Sequence, residues 1–260
     1  MIIDGFKKNI SLKTFLKLKE SNIEEIKFHF SKEINSLKQL YEISLRYSVP
    51  FFGDDDLLSV YKPKLKNQII VFQNNNSIIS LIDGILSLLD EGNFLAVNTL
   101  QRSLFEFLII NNHLILTKDF KFIESWIKNK DVKIVKNILK RTNNKKNKDL
   151  IEFWVVLSKY SHASLKTSQS EFDMTYNYGE YTNNIFTTYI LLYFYNYQLR
   201  GLYFPFMKAT YLKFGTKVCL PFKSDWFKKK DSFKEFEKNK NEKLSHLLDA
   251  FIFKWKLIKN

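Results

Sequence analysis

Between Phe94 and Leu116 the chain reads FLAVNTLQRSLFEFLIINNHLIL, an apolar stretch crossed by a polar stripe. Asn98, Arg102, Glu106 and His113 follow one another at steps of four, four and seven residues. At roughly 100° per residue they share an arc of about 80° on a helix. Around them lie Leu95, Val97, Leu100, Leu104, Phe105, Leu108, Ile109 and Leu114. An Arg and a Glu in such surroundings require partners, because burying unpaired charge is costly. The expectation is a central helix with Arg102 and Glu106 mostly buried and paired at i, i+4. Breaking such a pair would cost about 3–5 kcal/mol.

The rest of the composition agrees with a helical reading. Among 260 residues there are only 7 Gly and 4 Pro, which argues against a turn-rich all-β fold. Hydrophobic residues make up 45% of the chain, enough for a sizeable core and too many for a disordered tail. The single cysteine, Cys219, excludes an intrachain disulfide and a cysteine zinc cluster. The opening MIIDGFKKNISLK has no apolar run of the kind a secretory signal needs. The most apolar run, Ile185 to Tyr195, is too short to span a bilayer and reads as a buried core helix. These features together suggest a cytoplasmic protein that does not insert into membranes.

Periodicity places a helix over residues 20–47, with Ile23, Ile26, Phe30, Ile34, Leu37, Leu40 and Tyr41 on its apolar side. Val49-Pro50 ends it. Residues 50–68 read as a loop, and Gln68 to Gln73 as a short strand or an approach to the next helix. Asn76 or Ser77 is placed as the cap of a helix reaching Asp90, broken by Gly92-Asn93. Further helices are expected over 119–141, 149–163, 183–213 and 232–258, the one over 183–213 with a kink near Gly201 and Pro205. The prediction is an all-α, single-domain bundle of six to eight helices over 1–260, with 1–65 as a peripheral helical region.

The formal charge is +14, which points toward an anionic partner. Only four of the 41 basic residues are Arg, and Lys, Asn, Ile and Phe are abundant, a pattern that codon preference alone also produces. Residues 118–148 concentrate the charge, with eleven Lys or Arg against three acids. Lys130, Lys133, Lys136, Lys140 and Arg141 there are candidates for sequence-independent contacts to RNA phosphates. Asp54, Asp55 and Asp56 are adjacent and lack ligands at metal spacing, so no metal and no cofactor is expected.

A second motif, LSKYSHAS, spans Leu157 to Ser164. His162 has a suitable pKa for general acid or base work, with Ser158, Tyr160 and Ser161 as polar support. It would equally serve at a helix C-terminus. The two motifs together, Arg102 to Glu106 and Leu157 to His162, resemble a group of bacterial helical proteins with an Arg-x-x-x-Glu helix and a later Leu-Ser-x-x-x-His helix. More distantly they are similar to the HEPN superfamily. That resemblance implies an all-α domain, often dimeric, acting as a metal-independent ribonuclease in toxin or phage-defence systems. The family pairs its His with an Arg a few residues upstream on the same helix. Here no Arg lies four to seven positions before His162.

On that resemblance His162 would be the acid or base, Arg102 would bind phosphate, and Glu106 would orient either. Asn98 and His113 would lend polar support, RNA would be the substrate, and a homodimer the assembly. The alternative is a non-catalytic helical binding or scaffold protein in which Arg102 and Glu106 are structural. A small-ligand sensor using a polar pocket is a third class. An enzyme needs Arg102, Glu106 and His162 to converge on a cleft.

Overall fold

The turn between the second and third described helices follows from one glycine. A computed structural model describes residues 12–48, 66–116, 138–139, 146–161 and 178–214. Its helices are α1 (Leu12–Ser48), α2 (Lys66–Asp90), α3 (Phe94–Leu116), α4 (Lys146–Ser161) and α5 (Tyr178–Phe214), with no strand among the described residues. Between α2 and α3, Gly92 adopts φ 70°. Its amide donates to Leu89 O at 3.2 Å and the Asn93 amide to Leu88 O at 3.0 Å, a Schellman closure of α2. Asn93 then starts the next helix: its side-chain Oδ1 accepts from Ala96 N at 3.2 Å. The left-handed backbone favours glycine here, and a Cβ at position 92 would lie 2.7 Å from Ile26 Cδ1, which would have to shift.

This turn makes α2 and α3 antiparallel neighbours. Their close approach is set by Gly84, where an added Cβ would lie 3.0 Å from Leu100 Cδ1. Helix α1 packs on α2 and α5, α3 packs on α2, α4 and α5, and α5 also meets α2. Side-chain contacts give the directions. Phe30 meets Tyr181 near the start of α5, and Asn196, further along α5, bonds Ser44 near the end of α1. Thus α1 and α5 run the same way. Gln101 meets Thr188 and Gln198 meets Leu108, so α3 runs with them too, and α2 runs opposite.

Each helix supplies the stripe that its period allows. Ile26, Phe30, Ile34, Leu37 and Leu40 line the inner side of α1, and Ile78, Ile82, Ile85 and Leu89 that of α2. Helix α5 is buried nearly all round from Ile185 to Asn196, as expected for the apolar run Ile185 to Tyr195. Leu150, Phe153 and Leu157 bind α4 to α3, with Phe153 edge-on to Phe105 at 5.2 Å between ring centroids. No described helix is long and apolar enough to cross a membrane.

Several boundaries differ from the sequence expectation. Gln68 to Gln73 is helical, neither strand nor loop, and Asn76 and Ser77 lie inside α2 and cap nothing. The polar triplet Asn74 to Asn76 reads locally as a break. Tertiary partners remove the conflict: Asn74 Nδ2 donates to Asn111 Oδ1 at 2.8 Å, and Asn75 Oδ1 accepts from the Tyr195 hydroxyl. Helix α1 starts earlier than residue 20, and α5 starts at Tyr178 and runs through Gly201 and Pro205. The expected helix over 232–258 lies outside the described residues, as does that over 119–141 apart from the buried, helical Ile138 and Leu139.

Candidate functional site at the junction of α3 and α4

The i, i+4 spacing of Arg102 and Glu106 places both on the side of α3 that faces α4. Arg102 Nε donates to Glu106 Oε1 at 3.2 Å. The same oxygen accepts from Trp154 Nε1 of α4 at 3.1 Å. The Arg102 guanidinium carbon lies 6.0 Å from the centroid of the Trp154 ring, the outer limit of a cation–π contact. Two donors, one from each helix, therefore share one carboxylate oxygen. The expected pairing is present and the burial is partial: the two charged side chains are 26% and 34% exposed. At that exposure the pair is screened and contributes about 0–1 kcal/mol, well below a buried pair.

The remaining residues of the stripe diverge along the helix. Asn98 lies half-buried one turn before Arg102. His113 is buried two turns beyond Glu106, beside Asn111 and Asn112. On α4, the Ser158 hydroxyl is buried one turn after Trp154. Tyr160 and Ser161 belong to the backbone of α4, and their side chains lie outside the described residues. His162, Lys130, Lys133, Lys136, Lys140 and Arg141 lie outside them too, as do Asp54, Asp55 and Asp56. Among the described residues no three His, Cys, Asp or Glu side chains gather at metal-binding distance.

Sequence reasoning missed Trp154 as a site residue. It also missed the most heavily buried polar side chains. Gln101, beside Arg102 in sequence, points the other way. Its Nε2 donates to Asn184 O at 2.8 Å and to Thr188 Oγ1 at 2.9 Å on α5. Gln198 Nε2 returns the contact to Leu108 O at 2.5 Å. At the far end of the bundle, Asn196 Nδ2 donates to Ser44 Oγ at 2.7 Å. Ser48 and Asn75 both hydrogen-bond the Tyr195 hydroxyl. Burial pushes the Tyr195 phenol far above its ordinary range, so it stays a neutral donor. Tyr41 nearby is raised to about 12, by burial first and then by the Asp83 carboxylate.

Two sites of different character thus flank α3. One is a half-open Arg–Glu–Trp cluster facing α4. The other is a sealed amide and hydroxyl network facing α1, α2 and α5. No family model, no curated protein and no solved structure matches the chain.

Proposed function

We propose that this chain is a cytoplasmic RNA-acting protein of the HEPN-like kind, serving a phage-defence or toxin system and cleaving RNA without a metal. The observation that carries the reading is the half-open Arg102–Glu106–Trp154 cluster. An indole held at its edge by a carboxylate, with a guanidinium beside it, pairs a stacking surface with a phosphate-seeking cation. Helix α4 ends at Ser161, and His162 is the next residue in the chain, so the helix that pins the cluster also leads to the candidate acid or base. The net charge of +14 supports an anionic substrate. In this reading Arg102 binds phosphate, Glu106 orients Arg102, and His162 moves the proton.

A second reading, a non-catalytic scaffold, has its own observation. Arg102 Nε and Trp154 Nε1 both donate to Glu106 Oε1, which is what a clip between two helices requires. Incubation of the purified chain with a generic single-stranded RNA separates the two. RNA cleavage that falls by about 10²–10⁴ in His162→Ala, with helicity unchanged, supports the enzyme. No cleavage by the parent chain leaves the scaffold. Binding that weakens steeply with salt, and less so after Lys133, Lys136 and Lys140 are changed together to Gln, assigns the basic segment to phosphate contacts.

A further inference from the structure

Three polar atoms at the asparagine-rich end of the bundle are sealed from solvent without a hydrogen-bond partner among the described residues. They are Asn75 Nδ2, Asn112 Oδ1 and Gln198 Oε1. The residues that carry them are 3%, 3% and 1% exposed. The bonds around these atoms bring their residues to one level. Gln198 Nε2 of α5 donates to Leu108 O at 2.5 Å. Asn112 lies one turn beyond Leu108 on α3, and the two share a face within about 40°. Asn75 follows Asn74, whose amide donates to Asn111 Oδ1, the neighbour of Asn112. Because α2 runs opposite to α3, the step from Asn74 to Asn75 leads back toward the level of Leu108. Asn75 Oδ1 in turn accepts from the hydroxyl of Tyr195, one turn before Gln198 on α5. Three helices thus each bring one unspent amide atom to within about a turn of the others.

The polarity of the three atoms selects their occupant. A backbone carbonyl only accepts, so Gln198 must offer Nε2 to Leu108 O and keeps Oε1 for another partner. Asn75 spends its oxygen on Tyr195 and keeps a donor. The site therefore calls for two donors and one acceptor. A cation would meet the Asn75 amide hydrogens, an anion would meet two oxygens, and either would lose its hydration. An apolar group would satisfy none of the three. Water is neutral and supplies two hydrogens and a lone pair. Buried waters in proteins typically make about three bonds, to groups that have no other partner.

We infer that Asn75, Asn112 and Gln198 hold one internal water, which accepts from Asn75 Nδ2, donates to Asn112 Oδ1 and Gln198 Oε1, and ties α2, α3 and α5 together. The site shares no residue with the α3–α4 junction, so its test is separate from the RNA reading. A high-resolution crystal structure of the full chain is expected to show a water within about 3.2 Å of at least two of the three atoms. In solution, magnetic relaxation dispersion of water oxygen counts the long-lived internal waters. Asn112→Leu puts an apolar side chain in the site and should lower that count by one, with circular dichroism as the check on folding. Gln198→Met is the second variant and should lower it likewise. A direct bond between the Asn112 and Gln198 amides overturns the inference. So does a side chain from elsewhere in the chain, or a solute other than water, bonded to these atoms. An unchanged water count in the folded variants overturns it as well.

Discussion

The two ends of the bundle are held by different physics. At the Gly92 end, Ile26, Phe30, Leu89, Val97, Tyr181 and Ile185 are buried, and the Tyr181 hydroxyl is spent on Leu89 O, a carbonyl in the last turn of α2, at 2.6 Å. At the other end, Ser44, Ser48, Asn74, Asn75, Asn111, Asn112, Asn196 and Gln198 are just as buried. Apolar contacts are non-directional, so the first end tolerates small rotations of its helices. Amide and hydroxyl bonds fail within tenths of an ångström or tens of degrees, so the second end does not. Its bonding is also uneven: Asn75 Nδ2, Asn112 Oδ1 and Gln198 Oε1 have no hydrogen-bond partner among the described residues. Burial alone therefore does not rank the two ends, and substitution separates them.

The largest effect belongs to the apolar end. Ile85 is fully buried on α2, and Ile85→Ala is expected to cost about 2–5 kcal/mol in urea denaturation, through lost transfer energy and the cavity left behind. A cost below about 1 kcal/mol would mean that this end repacks freely.

At the polar end the informative comparison is between one substitution and two. Asn74→Ala leaves Asn111 Oδ1 buried without its donor and is expected to cost about 1–3 kcal/mol. Replacing Asn74 and Asn111 together by Leu removes both polar groups and should cost less than the single change, because nothing is then left unpaired. A double variant weaker than the single one would show that the bond itself, and not the orphaned amide, sets the stability of this end.

The junction of α3 and α4 lies between these extremes and ranks lowest. Arg102→Ala is expected to change stability by about 0–1 kcal/mol, since both charges keep contact with water. Trp154→Phe removes a donor to the same carboxylate and should add to that loss non-additively in a double-mutant cycle. A loss of several kcal/mol from Arg102→Ala alone would place the pair in the core.

The polar end also carries a pH dependence that vanishes at neutrality. Tyr41 ionises at about 12 in the folded chain and near 10 when unfolded. Below about pH 10 both states hold the proton and stability is unaffected. Between about pH 10 and 12 the unfolded state holds fewer protons, so stability falls as pH rises. Tyr41→Phe should therefore lose less stability than the parent over that window. Equal losses would remove Tyr41 from the alkaline transition.

The periodicity of α3 and α5, the break at Gly92-Asn93 and the pairing of Arg102 with Glu106 were all legible in the amino-acid sequence. Each depends on neighbours within about one or two turns, where helical spacing dictates who meets whom. The capping assignment at Asn76 failed for the opposite reason. Asn74 and Asn75 are bonded to Asn111 and Tyr195, which are 37 and 120 residues away, and no local rule reports a partner that distant. Exposure of the Arg102–Glu106 pair was likewise undecided until α4 took its place, because a stripe does not state how wide a helix will cover it. Sequence alone determined the run of α3 and the turn at Gly92-Asn93 before it, since backbone sterics and side-chain period are local. Only the tertiary structure decided which polar residues are sealed and which stay open, because burial belongs to the packing of several helices and to no one of them.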